Sequence, residues 1–274
     1  MMTSWLNGLP CDRIAMTDRA LLFGDSCFTT IAVRDGQPEL WPRHRERLLQ
    51  TVRRLNFPEL DIGMLASEVM LACRNVPRAI LRVTLTRGSG GRGYGLPTES
   101  ILQRMLLRRD WPADIDSGAR DGVALCWCET RLAQQPLLAG LKHGNRLEQV
   151  LARAEWQDPL FAEGLMCDTD GHVIEGTSSN LFFRHSSGHW CTPALDRCGV
   201  AGVMRAELLM QLRASSEVVV EGNYRPDDLN SATEVFVCNS IIGIWPVTVL
   251  SDCQWPVGNR TRTLQVAIGR MTES

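Results

Sequence analysis

Short strand-like runs with a few helical stretches among them recur in both halves of the chain, and this pattern predicts an α+β fold in two domains. The length agrees, because 274 residues suit one large domain or two modest ones and give ample material for a core. A polar, turn-forming stretch, Asp110-Trp111-Pro112-Ala113-Asp114-Ile115-Asp116-Ser117-Gly118, marks the division. The expected organisation is a first domain over 1–110, a connection over 111–120 and a second domain over 121–274. The sequence contains no internal repeat and no low-complexity tract.

In the first half, Pro42 to Leu55 has helical spacing, with Leu48, Leu49, Val52 and Leu55 on one side and arginines elsewhere. Ile62 to Cys73 reads as a second helix on Leu65, Val69 and Leu71. Two strands follow, Ala79 to Thr86 and Ile101 to Arg108, separated by a glycine-rich run from Arg87 to Gly95. The second half opens with a strand over Val123 to Glu129. A helix then begins at Asn145 with Leu147, Val150, Leu151 and Ala154 as its buried stripe, and Asn145 with Glu148 matches a capping pair. Short strands come next at Gly164 to Cys167, His172 to Glu175 and Asn180 to Phe183. Another helix starts near Val203 and runs through Ala206, Leu209 and Leu212, before strands at Val218 to Glu221 and Glu234 to Cys238.

Composition narrows the function class. The chain is 44% hydrophobic and 22% charged with a formal charge of -2, which gives no electrostatic case for nucleic acid or an anionic membrane as partner. The longest apolar stretch, Ile241 to Leu250, is interrupted by Pro246 and too short to span a bilayer. The opening residues, Met1-Met2-Thr3-Ser4-Trp5-Leu6-Asn7-Gly8, lack the basic end and apolar run of a secretory signal. The expected location is the cytoplasm. The 10 cysteines are scattered without a CxxC, which reads as reduced, mostly buried thiols rather than a metal site.

One lysine stands among 29 basic residues, at Lys142; all the others are arginine. Codon bias explains most of that excess, so the informative residue is the survivor. A position that stays lysine in such a chain is one that needs an amine able to lose its proton, as base or Schiff-base former. Gly88-Ser89-Gly90-Gly91-Arg92-Gly93 satisfies GxGxxG, yet Gly95 and Pro97 follow where a dinucleotide site needs a helix. That leaves a loop with Arg87, Arg92 and Tyr94, equally readable as plain surface or as the receiver of an anionic substrate. His143 reads as structural, and Asn145 has the cap as its explanation. Glu175, among apolar strand residues, needs a cation: one of the many arginines, or a protonated pyridine nitrogen. Gly199-Val200-Ala201-Gly202-Val203-Met204-Arg205 approaches a helix start, where free N–H groups can meet a phosphate.

Asp18-Arg19 with Phe23-Gly24-Asp25, His44 with Arg47-Leu48, Lys142, Glu175 with Asn180-Leu181-Phe182, and Gly202-Val203-Met204-Arg205 together resemble the fold-type IV pyridoxal-phosphate enzymes over essentially the whole chain. That family includes branched-chain and D-amino-acid aminotransferases and aminodeoxychorismate lyases. The resemblance implies a smaller N-terminal α/β sandwich-like domain, a larger C-terminal domain with a barrel-like sheet, pyridoxal 5'-phosphate as cofactor, no metal and a homodimer. Lys142 would hold the cofactor through its ε-amine and Glu175 would pair with the pyridine nitrogen. Arg47, the turn Gly202-Val203-Met204 and the Asn239-Ser240 segment would hold the phosphate, with Arg146 near the ring.

Two stretches, Arg87 to Tyr94 and Leu138 to Val150, are similar to the lyases in particular, and Phe28-Thr29-Thr30 agrees. Aminotransferases typically have glutamate then glycine where the two threonines stand. The implied reaction converts 4-amino-4-deoxychorismate to 4-aminobenzoate and pyruvate, in the 4-aminobenzoate branch of folate biosynthesis. Lys142 would take the proton from the amine-bearing carbon, Glu175 would keep the pyridine charged, and Thr30 would position or relay a proton. Arg92, ahead of Arg87, and Tyr94 would meet the substrate's two carboxylates. An aminotransferase acting on branched-chain or D-amino acids is the alternative. A cofactor-free binding protein would have lost the lysine or the glutamate, and both are present.

Overall fold

The computed structural model of the chain describes residues 3–113 and 115–269. Met1 and Met2, Asp114 of the expected connection, and residues 270–274 of the expected second domain lie outside the described residues. The chain forms two units. One takes the residues up to Pro112 together with Leu141–Asn145; the other takes Ala113–Gly140 and the residues from Arg146 onward.

In the first unit, β1 (Thr3–Leu6), β2 (Leu9–Pro10), β3 (Ser26–Arg34), β4 (Gln37–Pro38), β5 (Arg78–Thr86) and β6 (Gln103–Asp110) form one sheet, every pair antiparallel, in the order β2-β1-β6-β5-β3-β4. Three helices accompany it: α1 (Arg19–Phe23), α2 (Trp41–Arg54) and α3 (Ile62–Cys73). Strand alternation selects the buried face. Ala79, Leu81, Val83 and Leu85 of β5 and Ile31 and Val33 of β3 share a core with Leu48 and Val52 of α2 and Leu65, Val69 and Ala72 of α3. Leu71, expected in the α3 stripe, is 56% exposed. At 3.6 residues per turn the face through Leu65 and Val69 continues to Ala72 instead.

Two arginines tie down the glycine-rich loop. The Arg19 guanidinium, buried on α1, donates through Nη1 to the carbonyls of Gly90, Gly93 and Gly95 at 3.2, 3.3 and 3.1 Å, and pairs through Nε with Asp25 at 2.8 Å. Arg87 pairs with the same Asp25 carboxylate at 2.8 Å and donates to the carbonyls of Asn56 and Leu55 at 2.7 and 2.9 Å. The loop therefore wraps a cation and carries no helix start, in keeping with the failure of the dinucleotide pattern.

In the second unit, β7 (Val123–Trp127), β8 (Phe161–Cys167), β9 (Val173–Gly176), β10 (Asn180–His185), β11 (Trp190–Pro193), β12 (Val219–Gly222), β13 (Ala232–Asn239), β14 (Gly243–Leu250) and β15 (Cys253–Gln254) make a mixed sheet. Its run β10-β13-β14-β7-β8-β9 returns to β10 through the pairing of Glu175 with Asn180, so six strands close into a barrel. Leu125, Leu165, Val173, Leu181, Val237 and Val247 pack in one core. Outside, the stacked rings of Phe182 and Phe236, with Trp190 edge-on, form an aromatic layer. The helices are α4 (Ile115–Asp121), α5 (Leu147–Arg153), α6 (Val203–Ala214) and α7 (Asn259–Ala267), joined by a 3-10 turn over Pro226–Ser231.

Helix α5 corrects two expectations. Leu147, Val150 and Leu151 are 69%, 61% and 55% exposed, not a buried stripe. The helix starts at Leu147 without a side-chain cap, and Glu148 accepts from the Ala133 N–H at 2.8 Å instead of closing a capping box. All ten cysteines are free thiols. Among the described residues no helix is long and apolar enough to cross a membrane.

Candidate active site

The first unit holds Lys142, Thr30 and Arg47. Strand β4 pairs only with Val33 and Arg34 of β3, so the same edge of β3 is open at its other end. There the segment Leu141–Asn145 adds itself: the Phe28 N–H donates to the Lys142 carbonyl at 2.9 Å and the Gly144 N–H to the Ser26 carbonyl at 2.8 Å. The approach demands glycine, since a Cβ on Gly144 would stand 2.1 Å from Ser26 Oγ and 2.9 Å from the Gly24 carbonyl oxygen. Lys142 is thereby held with its Nζ 4.7 Å from the centre of the Phe28 ring, a ring that also carries the Arg82 guanidinium at 3.7 Å. Thr30, two residues beyond Phe28, shares its face of β3 and pairs across the sheet with Arg82.

Thr29 points the other way, into the core, where its hydroxyl meets His44 and Arg47 of α2. Burial lowers the Arg47 pKa to about 10, with nearby Cys27 acting in the opposite sense, so the guanidinium is a cation at neutral pH. Its Nε is buried without a hydrogen-bond partner, and among the described residues no carboxylate pairs with it. A desolvated, uncompensated arginine suits an anion such as a phosphate ester.

The second unit holds Glu175, Arg146, the Gly202 turn and Asn239-Ser240. Glu175 is 4% exposed on β9. Its Oε2 accepts the Val200 N–H at 2.9 Å and the Asn180 amide at 3.3 Å. Asn180 also donates to the Val200 carbonyl at 2.9 Å and accepts from the Gly202 N–H at 3.1 Å. One amide thus locks the carboxylate to the turn that begins α6. Gly202 has no room for a side chain, because its Cβ would lie 2.2 Å from Asn180 Oδ1. It caps α6 without a side-chain bond, and the Val203 and Met204 side chains are buried, so what this helix start offers an anion is backbone N–H.

Asn239 builds a turn: its Nδ2 donates to the Ser178 carbonyl at 3.1 Å and its Oδ1 accepts from the N–H groups of Ile241 and Ile242 at 2.8 and 2.9 Å. Ser240 sits on that turn. Arg146 is half-buried; burial pulls its pKa down while the Glu175 and Glu148 charges oppose this.

Of the loop residues, Arg92 and Tyr94 are exposed, with Tyr94 edge-on to Phe23 at 5.3 Å. Arg87 is a correction. The residue is 4% exposed and its guanidinium is committed to Asp25 and two backbone carbonyls, so it has no fork to offer a substrate carboxylate. Sequence reading gave Asn180 no role and passed over Glu163. The latter is a buried carboxylate that accepts from the hydroxyls of Thr177, Ser178 and Ser179 and so orders the turn between Glu175 and Asn180. Its signal was one acid in an otherwise apolar strand, three hydroxyls downstream. Asp168, Asp170 and His172 also gather, but Arg197 and Gln134 already bond both carboxylates.

The family described as amino-transferase class IV matches residues 26–250, and the chain belongs to it. The chain is 38% identical to the aminodeoxychorismate lyase of Vibrio harveyi over 95% of its own length and 97% of that protein's. It superposes on the crystal structure of 4-amino-4-deoxychorismate lyase from Pseudomonas aeruginosa with a TM-score of 0.93, 46% identity and 97% of both chains covered. The fold alone is shared with a PLP-bound hypothetical aminotransferase from Mycobacterium tuberculosis, at a TM-score of 0.83, 22% identity and 98% of both chains covered.

Proposed function

We propose that this protein is a pyridoxal-phosphate-dependent lyase that converts 4-amino-4-deoxychorismate to 4-aminobenzoate and pyruvate. The observation that carries the reading is Lys142, the one lysine of the chain, held against Phe28 on the face of β3 that also bears Thr30. The residues present suit the cofactor. Lys142 supplies the amine that anchors an aldehyde, and Glu175, fixed by Val200 and Asn180, supplies the carboxylate a pyridine nitrogen needs. Arg47, the N–H groups at Gly202-Val203-Met204 and the Asn239-Ser240 turn supply phosphate donors. When bound, the cofactor supplies an electron sink.

The chain's own residues then do the rest. Lys142, released from its anchoring role, removes the proton from the amine-bearing ring carbon. The electron pair left behind expels the neighbouring enolpyruvyl oxygen, the carbon–oxygen bond breaks, and the ring becomes aromatic. Thr30, which both donates and accepts, works with Lys142 to return a proton to the methylene carbon of the departing enolpyruvate, giving pyruvate. Arg92 and Tyr94 take the substrate carboxylates. Arg146 is assigned a place near the cofactor ring and no chemical step.

The aminotransferase reading is weaker here because Thr29 and Thr30 occupy the positions where glutamate and glycine are typical. We further assign the protein to the cytoplasm and to a homodimer, the latter supported by the exposed apolar side of α5. The test is to supply 4-amino-4-deoxychorismate without any 2-oxo acid. Equal amounts of 4-aminobenzoate and pyruvate are expected. No product from cofactor-loaded, folded protein, with amino-group transfer from branched-chain or D-amino acids instead, would overturn the reading.

A further inference from the structure

Thr29 is fully buried, and its hydroxyl oxygen lies 2.5 Å from His44 Nδ1 and accepts a hydrogen bond from Arg47 Nη2. It has no other side-chain partner among the described residues. His44 and Arg47 are three residues apart on α2 and so share the helix face turned to β3. The direction of this chain of bonds follows from the donors. A guanidinium N–H can only donate, so the Thr29 oxygen accepts from Arg47. The single Thr29 proton then has one acceptor in reach, His44 Nδ1. A proton on Nδ1 would let that oxygen accept twice, but would strand both the hydroxyl proton and the Nε2 lone pair in the core. The imidazole therefore carries its proton on Nε2, which is buried with no hydrogen-bond partner among the described residues, so this arrangement strands one group where the other strands two. Burial, then the charges of Arg47 and Lys142, hold the His44 pKa well below its ordinary value and keep the ring neutral.

We propose that Thr29 and His44 are positioning residues for Arg47, fixing its guanidinium through one Nη so that its remaining donors are pre-set for the phosphate of the cofactor. This rests on the reading of Arg47 as a phosphate ligand. Among the described residues Arg47 has no carboxylate to orient it, and a long side chain ordered only on binding loses rotamer freedom at that moment. Thr29, anchored in turn by His44, removes that cost beforehand. Thr30, next in sequence, faces the Lys142 side, so two adjacent threonines serve opposite ends of the cofactor's chemistry.

The test titrates the full chain, stripped of cofactor, with pyridoxal phosphate and with pyridoxal, which lacks the phosphate, following the visible absorbance. Thr29→Val keeps the shape and removes the hydroxyl. The expected result is about tenfold weaker binding of pyridoxal phosphate, unchanged binding of pyridoxal, and recovery in Thr29→Ser. Nitrogen NMR of the wild-type imidazole, which needs no variant to fold, should show His44 protonated on Nε2 alone. A proton on Nδ1 overturns the proposal. So does wild-type affinity in Thr29→Val while Arg47→Lys binds pyridoxal phosphate weakly, an outcome that leaves the phosphate reading standing. If Arg47→Lys keeps the full preference for pyridoxal phosphate over pyridoxal, the phosphate reading falls and takes the proposal with it.

Discussion

Thr29 and Thr30 differ by half a period of the strand, and that half period assigns them different surroundings. Thr29 is sealed under α2 with His44 and Arg47, whereas Thr30 stands on the face that carries Phe28 and hence Lys142. A proton relay through Thr30 makes a specific demand. Thr30→Ala should keep the cofactor spectrum and the thermal midpoint while turnover falls by about a hundredfold, the usual size of a lost proton-transfer group. An unchanged rate would return Thr30 to packing. At this scale the sequence was readable where chemistry restricts the residue type. Lys142 stood out because every other basic site tolerates arginine. Arg87 misled because its partner, Asp25, lies 62 residues away, a pairing that no local pattern reveals.

The glycine-rich loop shows how an element can be held by charges rather than by its own backbone ladder. Burial pushes the Asp25 pKa up, but the hydrogen bonds and charges of Arg87 and Arg19 outweigh this and hold the carboxyl below its ordinary 3.8. Because the folded-state pKa is the lower one, the stabilisation is complete above the ordinary value and fades as pH falls through the folded-state value. Protection of residues 88–95 from hydrogen exchange, taken relative to the intrinsic rate at each pH, should therefore persist at neutral pH and fall in acid below that ordinary value, and Asp25→Asn should lose it already at neutral pH. Retained protection in that variant would mean the loop is held otherwise. Elements with strong periodicity, α2, α3, β5 and α6, were legible to within one or two residues. The α5 stripe was visible but its burial was misjudged, since an apolar helix side does not say what covers it.

For the molecule as a whole, the barrel-like sheet of one unit came from the family resemblance, which implied a sandwich-like α/β domain where the other unit is one antiparallel sheet with three helices; periodicity alone supplied only the α+β class. Barrel closure depends on which strands meet far apart in sequence, and short strands carry no signal of that. The exposed Leu147, Val150 and Leu151 bear on assembly. If a second copy covers them, Leu147→Glu with Val150→Glu should convert a dimer to a monomer in sedimentation, with the barrel's circular dichroism retained. A dimer that survives both charges would place the interface elsewhere.

On the proposed function, Lys142 serves because the chemistry needs an amine and not merely a cation. Lys142→Arg keeps the charge and removes only the capacity to bond an aldehyde and release a proton. The most direct measurement is 4-aminobenzoate release by this variant, followed beside its visible spectrum. Expected are loss of the bound-cofactor absorbance and a fall in turnover of about a thousandfold or more. Wild-type turnover in Lys142→Arg would contradict that role for the amine.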